Sequence, residues 1–286
     1  MKPLRSGYVQ GQPAGGPECE AFERELEAYY GVPYARVFNS GTAALTAAVI
    51  ARRLTAMCVP AIGMSASAAS VVYAGALLGF ADVDDSYDAK VASMKVHLFG
   101  HHHPGTAPIH DCAQSPTLRP VEGQGSVWCY SLNQHKIIQC GEGGYALTFS
   151  REIADRLHLV RNHGESVSPD ILGHNFRMTE LQASVVRFEF AQLDRRIAAR
   201  RDWAATIAQK YDLPPDPGNM DWYLYPVRVK KNREAFAKRI PGARVGYQPP
   251  ICDMPWFKAH GYGGKFPNAR RIESEIVIIS PEAYGL

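Results

Sequence analysis

Seven short apolar runs of strand length, spaced by helical or turn segments, recur along the first 150 residues, and this alternation constrains the fold more than any other feature. The runs are Ala35–Phe38, Met57–Val59, Leu78–Val83, Lys95–Phe99, Ile109–Asp111, Ser126–Tyr130 and Tyr145–Phe149. Before them, Glu18–Tyr30 reads as an amphipathic helix, with Phe22, Leu26 and Tyr29 or Tyr30 at three- and four-residue spacing. Ala43–Arg52 reads as a helix of small apolar residues, and Met64–Phe80 as a buried helix that runs into a strand. Strands alternating with helices predict an α/β fold: a mainly parallel sheet with helices on its faces.

The texture changes at Arg151. Glu152–Arg161 is helical, and Thr179 to about Tyr211 is a long helix or a broken pair, with Thr179 as its N-cap. After the break Leu213-Pro-Pro-Asp-Pro-Gly218, Trp222–Val229 reads as a strand. We therefore expect a large domain over residues 1–164, opened by an extended Gly- and Pro-rich arm, and a smaller α+β domain over 165–286.

A length of 286 residues suits one large or two ordinary domains, and 46% hydrophobic with 21% charged residues is a globular composition. The net charge of +3 is too small to argue for nucleic-acid binding. The charge is uneven, with 10 basic and 12 acidic residues in 1–150 against 21 and 16 in 151–286. The basic half suits an anionic substrate, but solvated helix faces are the simpler explanation. Six cysteines stand singly without a CxxC pair, which points away from a disulfide framework and a structural zinc site and toward a reducing compartment. No signal peptide or membrane span is expected, so the expected location is the cytoplasm.

Four segments carry candidate chemistry. Asn39-Ser-Gly41-Thr42-Ala43-Ala44 lies at a strand-to-helix turn, where Gly41 permits close approach and the helix N-terminus can take an anion such as phosphate. A turn that only caps its helix is the plain alternative. Asp111 ends a predicted strand, where ligands gather in open α/β sheets, or else caps the next turn. Lys136, beside Ile137 and Ile138 and ahead of a glycine-rich turn, can have a lowered pKa and form a Schiff base, with Ser131 five residues earlier as a phosphate donor. A lone lysine is otherwise a surface residue. Asn175 and Arg177 precede the long helix, where polar side chains can reach across an interface. His97, His101, His102, His103 and His110 invite a metal reading, but consecutive side chains diverge, and a solvated loop is expected instead. The aromatics Trp222–Tyr225 and Trp256-Phe257 read as core or interface.

In order and spacing these segments resemble the DegT/StrS family of sugar aminotransferases, which use pyridoxal 5′-phosphate (PLP) on the fold-type I architecture. The resemblance runs through Gly7–Gly31, Ser40–Leu45, Val96–Gly100, Asp111–Gln114, Ser131–Gly144, Arg161–Gly164, Gly173–Glu180 and Phe266–Ala269. It implies that Lys136 binds PLP and moves a proton, and that Asp111 pairs with the ring nitrogen. Gln114 would lie beside the ring, while Gly41, Thr42, Ala43 and Ser131 would hold the phosphate. Asn175 would reach the phosphate of a neighbouring subunit, making a homodimer with shared sites. The implied reaction moves an amino group from glutamate or glutamine to a keto group on a nucleotide-linked sugar.

Departures from the family pattern leave other readings open. Gly63-Met64 replaces the usual Thr-Phe, so Met64 rather than an aromatic would pack on the ring. Pro250-Ile-Cys252 replaces Pro-Leu-His near the sugar site, and His135 precedes the lysine. The stretches Asp88–Val96 and Gly105–Ile109 are too short for the usual connecting helices. One alternative is a PLP-dependent decarboxylase or lyase acting on an amino-acid-bearing substrate, in natural-product or nucleic-acid modification. Another is a regulatory relative that holds the cofactor without turnover.

Overall fold

In the computed structural model, which describes residues 15–122, 126–164, 168, 170–215 and 217–286, the first helix is α1 (Pro17–Tyr30). The expected N-terminal arm lies outside the described residues but for its end. Pro17 suits the first position of α1, and Gly31, in the left-handed region, ends it. Its buried face of Cys19, Phe22, Leu26 and Tyr30 follows the helical period.

The large sheet is then assembled from β1 (Tyr34–Phe38), α2 (Gly41–Ala51), β2 (Ala56–Pro60), α3 (Ser65–Tyr73), β3 (Leu77–Ala81) and β4 (Met94–Val96). It continues through β5 (Ile109–Asp111), β6 (Val127–Ser131), β7 (Gly144–Thr148) and α4 (Arg151–Arg161). Five strands pair in the order β1-β7-β6-β5-β4, and only β7 runs against the other four. The parallel pair β2–β3 joins this sheet at Ser93, just before β4. Ser93 exchanges hydrogen bonds with Cys58 of β2, at 2.9 Å through its N–H and 2.7 Å through its Oγ. Helix α2 is buried almost all round because Ala43, Ala44, Ala47, Ala48 and Ala51 let neighbouring elements approach closely. Its N-terminus is thereby fixed at the carboxyl edge of the sheet.

The rest of the chain forms α5 (Glu180–Phe190), α6 (Leu193–Tyr211), β8 (Tyr225–Arg228), α7 (Arg233–Ala237) and β9 (Ala243–Val245), then α8 (Pro255–Ala259), α9 (Pro267–Glu275) and β10 (Ile276–Ile279). Strands β8-β10-β9 make an antiparallel sheet with β10, wholly buried, at its centre. Thr179 caps α5 in a reciprocal capping box with Gln182. Helix α5 packs back on α1, and the Glu180 carboxylate accepts the N–H groups of Gly16, Glu18 and Cys19 at 2.9–3.0 Å. These are the unpaired donors that a helix N-terminus leaves exposed.

Two expectations are corrected. The strand expected over Lys95–Phe99 stops at Val96, because Leu98–Gly100 turns as a short 3-10 helix with Phe99 at φ 61°. The histidine-rich stretch is not a solvated loop: His97, His103 and His110 are buried. His97 Nε2 lies 3.1 Å from His110 Nδ1, and the His103 N–H donates to His97 Nδ1 at 3.0 Å. The His110 ring stacks on Trp128 at 5.0 Å. Burial pushes the His97 pKa well down and that of His110 to about 4, so the column is neutral and packs like a set of aromatic rings. Among the described residues no α-helix lies between β3 and β4 or between β4 and β5. There Lys95 is buried instead, paired with Asp88 at 2.9 and 3.0 Å. Trp222 and Tyr225 stack in the core at 4.4 Å, whereas Trp256 is half exposed. Among the described residues no cluster of His, Cys, Asp or Glu is arranged to hold a metal, and no helix is long and apolar enough to cross a membrane.

Candidate active site

A cavity of about 670 Å³ opens at the carboxyl ends of β5 and β6. Gly41, Thr42, Met64, Asp111, Gln114, Ser131 and Lys136 all line it, although 95 residues of sequence separate Gly41 from Lys136 (136 − 41). Ala43 and Asn175 do not. Ala43 is buried, and its N–H already donates to Ser40 Oγ at 3.0 Å. Asn175 is exposed, and its carbonyl accepts Asn39 Nδ2 at 3.2 Å.

One end of the cavity is built for an anion. With Ser40 capping α2, the N–H groups of Gly41 and Thr42 have no partner among the described residues and stand at the positive end of the helix. Ser131, the last residue of β6, brings its hydroxyl to the same place. The approach is so close that a Cβ on Gly41 would lie 2.8 Å from Ser131 Cβ. A Cβ on Gly144 would lie 2.6 Å from the Gly41 nitrogen, so α2, β6 and β7 meet here only because both residues are glycine.

The cavity is also lined by Asp111, buried, with Oδ2 accepting Ser67 Oγ at 2.6 Å and Oδ1 accepting the Ala113 N–H at 3.1 Å. Burial raises its pKa; the hydrogen bonds from Ser67 and Ala113 and the Lys136 charge act the other way but do not cancel it. Lys136 is half-buried and opens onto the cavity, with its ammonium 4.7 Å from the centre of the Tyr223 ring. Burial pulls its pKa down to about 8, against the opposing pull of Asp111. At pH 7 roughly a tenth of such amines are neutral, against roughly three in ten thousand at the ordinary value. An amine so poised can condense with an aldehyde, and a carboxylate lining the same cavity can hold a cationic ring nitrogen.

Gln114 is gripped at both ends: its Oε1 accepts the Phe99 N–H at 2.5 Å and its Nε2 donates to Tyr247 Oη at 3.0 Å. The left-handed turn at Phe99 therefore has a purpose, since it aims that N–H at the glutamine. Met64 lines the mouth, with Gln248 Nε2 donating to its sulfur at 3.3 Å. Sequence reasoning missed Ser67, Tyr223, Tyr247 and Arg244, all of which contact or line the site. Cys252, expected near the sugar site, is fully buried and off the cavity wall.

The strand order, with the lysine, carboxylate and anion cradle at the carboxyl edge, is that of a fold-type I aminotransferase. Residues 4–282 match the DegT/DnrJ/EryC1/StrS aminotransferase family, and the chain belongs to it. It is similar to the UDP-N-acetyl-3-dehydro-alpha-D-glucosamine 3-aminotransferase of Acidithiobacillus ferrooxidans, with 31% identity over 76% of this chain and 69% of that protein. The dTDP-3-amino-3,4,6-trideoxy-alpha-D-glucose transaminase of Streptomyces venezuelae is 29% identical over 77% of this chain and 69% of its own. Among solved structures, S. venezuelae DesV in complex with a ketimine intermediate superposes with a TM-score of 0.80 at 25% identity, covering 96% of this chain and 89% of DesV. A DegT DnrJ EryC1 StrS aminotransferase from Brucella abortus gives a TM-score of 0.76 at 26% identity, over 92% and 85%. The protein is an enzyme of the aminotransferase class.

Proposed function

We propose that the protein uses PLP to move an amino group from L-glutamate or L-glutamine to a keto group on a nucleotide-linked sugar. The observation that carries the reading is that Lys136, Asp111 and the free N–H groups at the start of α2 line one cavity, with Lys136 and Asp111 close enough to act on each other's charge. The donor set fits the cofactor: free N–H groups and the Ser131 hydroxyl for a phosphate, a partly neutral amine for an aldehyde, and a buried carboxylate for a ring nitrogen. When bound, PLP supplies an electron sink next to the substrate carbon that bears nitrogen. Lys136 Nζ holds the cofactor and then carries the proton to and from that carbon. Asp111 keeps its partner nitrogen protonated, and the positive charge there in turn favours the ionised carboxylate against the effect of burial. Gln114, fixed by Phe99 and Tyr247, offers its remaining amide hydrogen along the cavity wall, and Met64 covers the mouth through its sulfur.

In this reading residues 1–164 form the cofactor-holding domain and 165–286 the smaller one. The active unit is a homodimer in which Asn175 serves the neighbouring subunit's site. Support comes from the exposure of Asn175 and from Leu181, Val185 and Phe188, an exposed apolar stripe on α5 facing away from α1. The six free cysteines suit a reducing cytoplasm. The test is a single turnover with L-glutamate or L-glutamine alone, which should bleach the cofactor's visible band and release one 2-oxo acid per site. Carbon dioxide release, or no spectral change with any amino acid, would replace this reading by the decarboxylase or lyase one.

A further inference from the structure

Met64 stands apart from the other described methionines. Met57, Met94, Met178 and Met220 are buried and Met254 is half-buried, whereas Met64 is 48% exposed and lines the site cavity. Gln248, on the same wall, donates from Nε2 to the Met64 sulfur at 3.3 Å. A thioether sulfur has two lone pairs and is a weak acceptor, so this hydrogen bond engages one pair and leaves the other free to react.

The other sulfurs compete poorly for an oxidant. A thiol reacts with peroxide as its thiolate, and burial raises the pKa of all six cysteines, to about 12 at Cys19 and Cys140. A thioether needs no ionisation, and an opening that admits a keto substrate also admits hydrogen peroxide. Met64 is moreover tied to the chemistry. It is the N-cap residue of α3, its carbonyl accepts the Ser67 N–H at 3.2 Å, and the Ser67 hydroxyl holds Asp111. A change at Met64 is therefore felt at the cavity mouth and one link away from the buried carboxylate.

We propose that Met64 is a modification site, oxidised to the sulfoxide by hydrogen peroxide in the cofactor-free enzyme, and that the sulfoxide weakens the hold on the cofactor. In that step the free lone pair of sulfur attacks one peroxide oxygen, and an S–O bond forms as the O–O bond breaks. The departing hydroxide takes the proton of the transferred oxygen and leaves as water, so sulfur loses two electrons and the peroxide gains them. The effect on the cofactor rests on the PLP reading above, in which the sulfur packs on the ring: a sulfoxide is polar there, and bound PLP shields the sulfur.

The test treats cofactor-free and PLP-loaded protein with hydrogen peroxide and locates the added oxygen by peptide mass spectrometry. Met64 of the cofactor-free protein should oxidise several-fold faster than Met254, and PLP should slow it. Losing the sulfur–ring contact should weaken PLP binding by roughly two- to tenfold. Met64→Leu, compared with its own untreated sample, should show no such loss. With one lone pair engaged, one sulfoxide epimer should predominate, so that one of the two epimer-specific methionine sulfoxide reductases reverses most of the change; in Gln248→Ala both should be needed. The proposal is overturned if Met254 or a cysteine takes up oxygen before Met64, if PLP gives no protection, or if treated protein binds PLP as tightly as untreated. Equal epimers in the unaltered protein, or an unchanged epimer ratio in Gln248→Ala, would also overturn it. Failure of the untreated protein to bind PLP would instead remove the cofactor reading, with selective oxygen uptake at Met64 still decided by mass.

Discussion

The hydroxyl of Ser67 donates to Oδ2 of Asp111 at 2.6 Å, tying the first turn of α3 to the carboxyl end of β5. The bond lowers the pKa of a carboxyl group that burial raises. Without it the carboxyl stays protonated to higher pH, so the ionised, working form is lost earlier on acidification. Ser67→Ala should therefore move the acid limb of kcat/KM to higher pH and lower kcat/KM at neutral pH by about tenfold, the scale of one charge-assisted hydrogen bond. An acid limb that stays in place would detach Ser67 from the function of Asp111.

Lys136 should attach the cofactor at a rate that climbs as pH rises through about 8 and then levels. Borohydride should fix the cofactor to this residue, and Lys136→Ala should abolish both fixation and turnover; recovery of the reduced cofactor on another lysine would move the site. The folded-state pKa lies below the ordinary value of 10.5, so the protonated amine weighs against folding below about pH 8 and ceases to do so as pH approaches 10.5. Cofactor-free Lys136→Met should accordingly lose no stability at pH 7 in urea denaturation. A loss above about 1 kcal/mol would mean that pairing with Asp111 outweighs desolvation.

Gly41→Ala places a methyl group 2.8 Å from Ser131 Cβ. Overpacking of this kind costs about 1–3 kcal/mol, and moving α2 away from β6 should weaken cofactor binding by at least about tenfold. Adding Ser131→Gly should restore thermal stability without restoring cofactor affinity, because the relieving change also removes a phosphate donor. Recovery of both would show that Ser131 only fills space.

Mixing inactive Lys136→Ala protein with an inactive Asn175→Ala variant should recover up to about a quarter of the unmutated activity, since half of the dimers are then mixed and one of their two sites is intact. Light scattering should report a dimer. An active monomer, or no recovery once exchange of subunits has been verified, would place the whole site within one chain.

Local signals carried the five-stranded sheet well. Apolar runs marked β5 to the residue and the other strands to within a few, and Thr179 announced α5 through a capping box that needs only Gln182 nearby. What sequence could not convey were features set by distant partners. The histidines read as solvated because the run His101–His103 is consecutive and its side chains were expected to diverge, whereas His97, His103 and His110 stack, His97 on both other rings and His110 on Trp128 as well. The turn at Phe99 looked like more strand because its carboxamide partner, Gln114, lies 15 residues on. Ser67 and Tyr247 join the site only through contacts 44 and 133 residues away. Strands β9 and β10 went unmarked; the first is three residues long and the second follows a helix without a break.

The pairing of β1 with β7 sets an order of events during synthesis. Residues Tyr34–Phe38 leave the ribosome long before Gly144–Thr148, their hydrogen-bonding partners, exist. Gly41 likewise waits for Ser131 and Gly144, and the N-terminus of α1 waits for the Glu180 carboxylate. Closing loops of that length is slow and leaves early apolar segments uncovered in the meantime. The junction of α2, β6 and β7 is thus among the last features of the large sheet to form. If PLP is the cofactor, as proposed above, its anion cradle can be completed only once translation has passed β7.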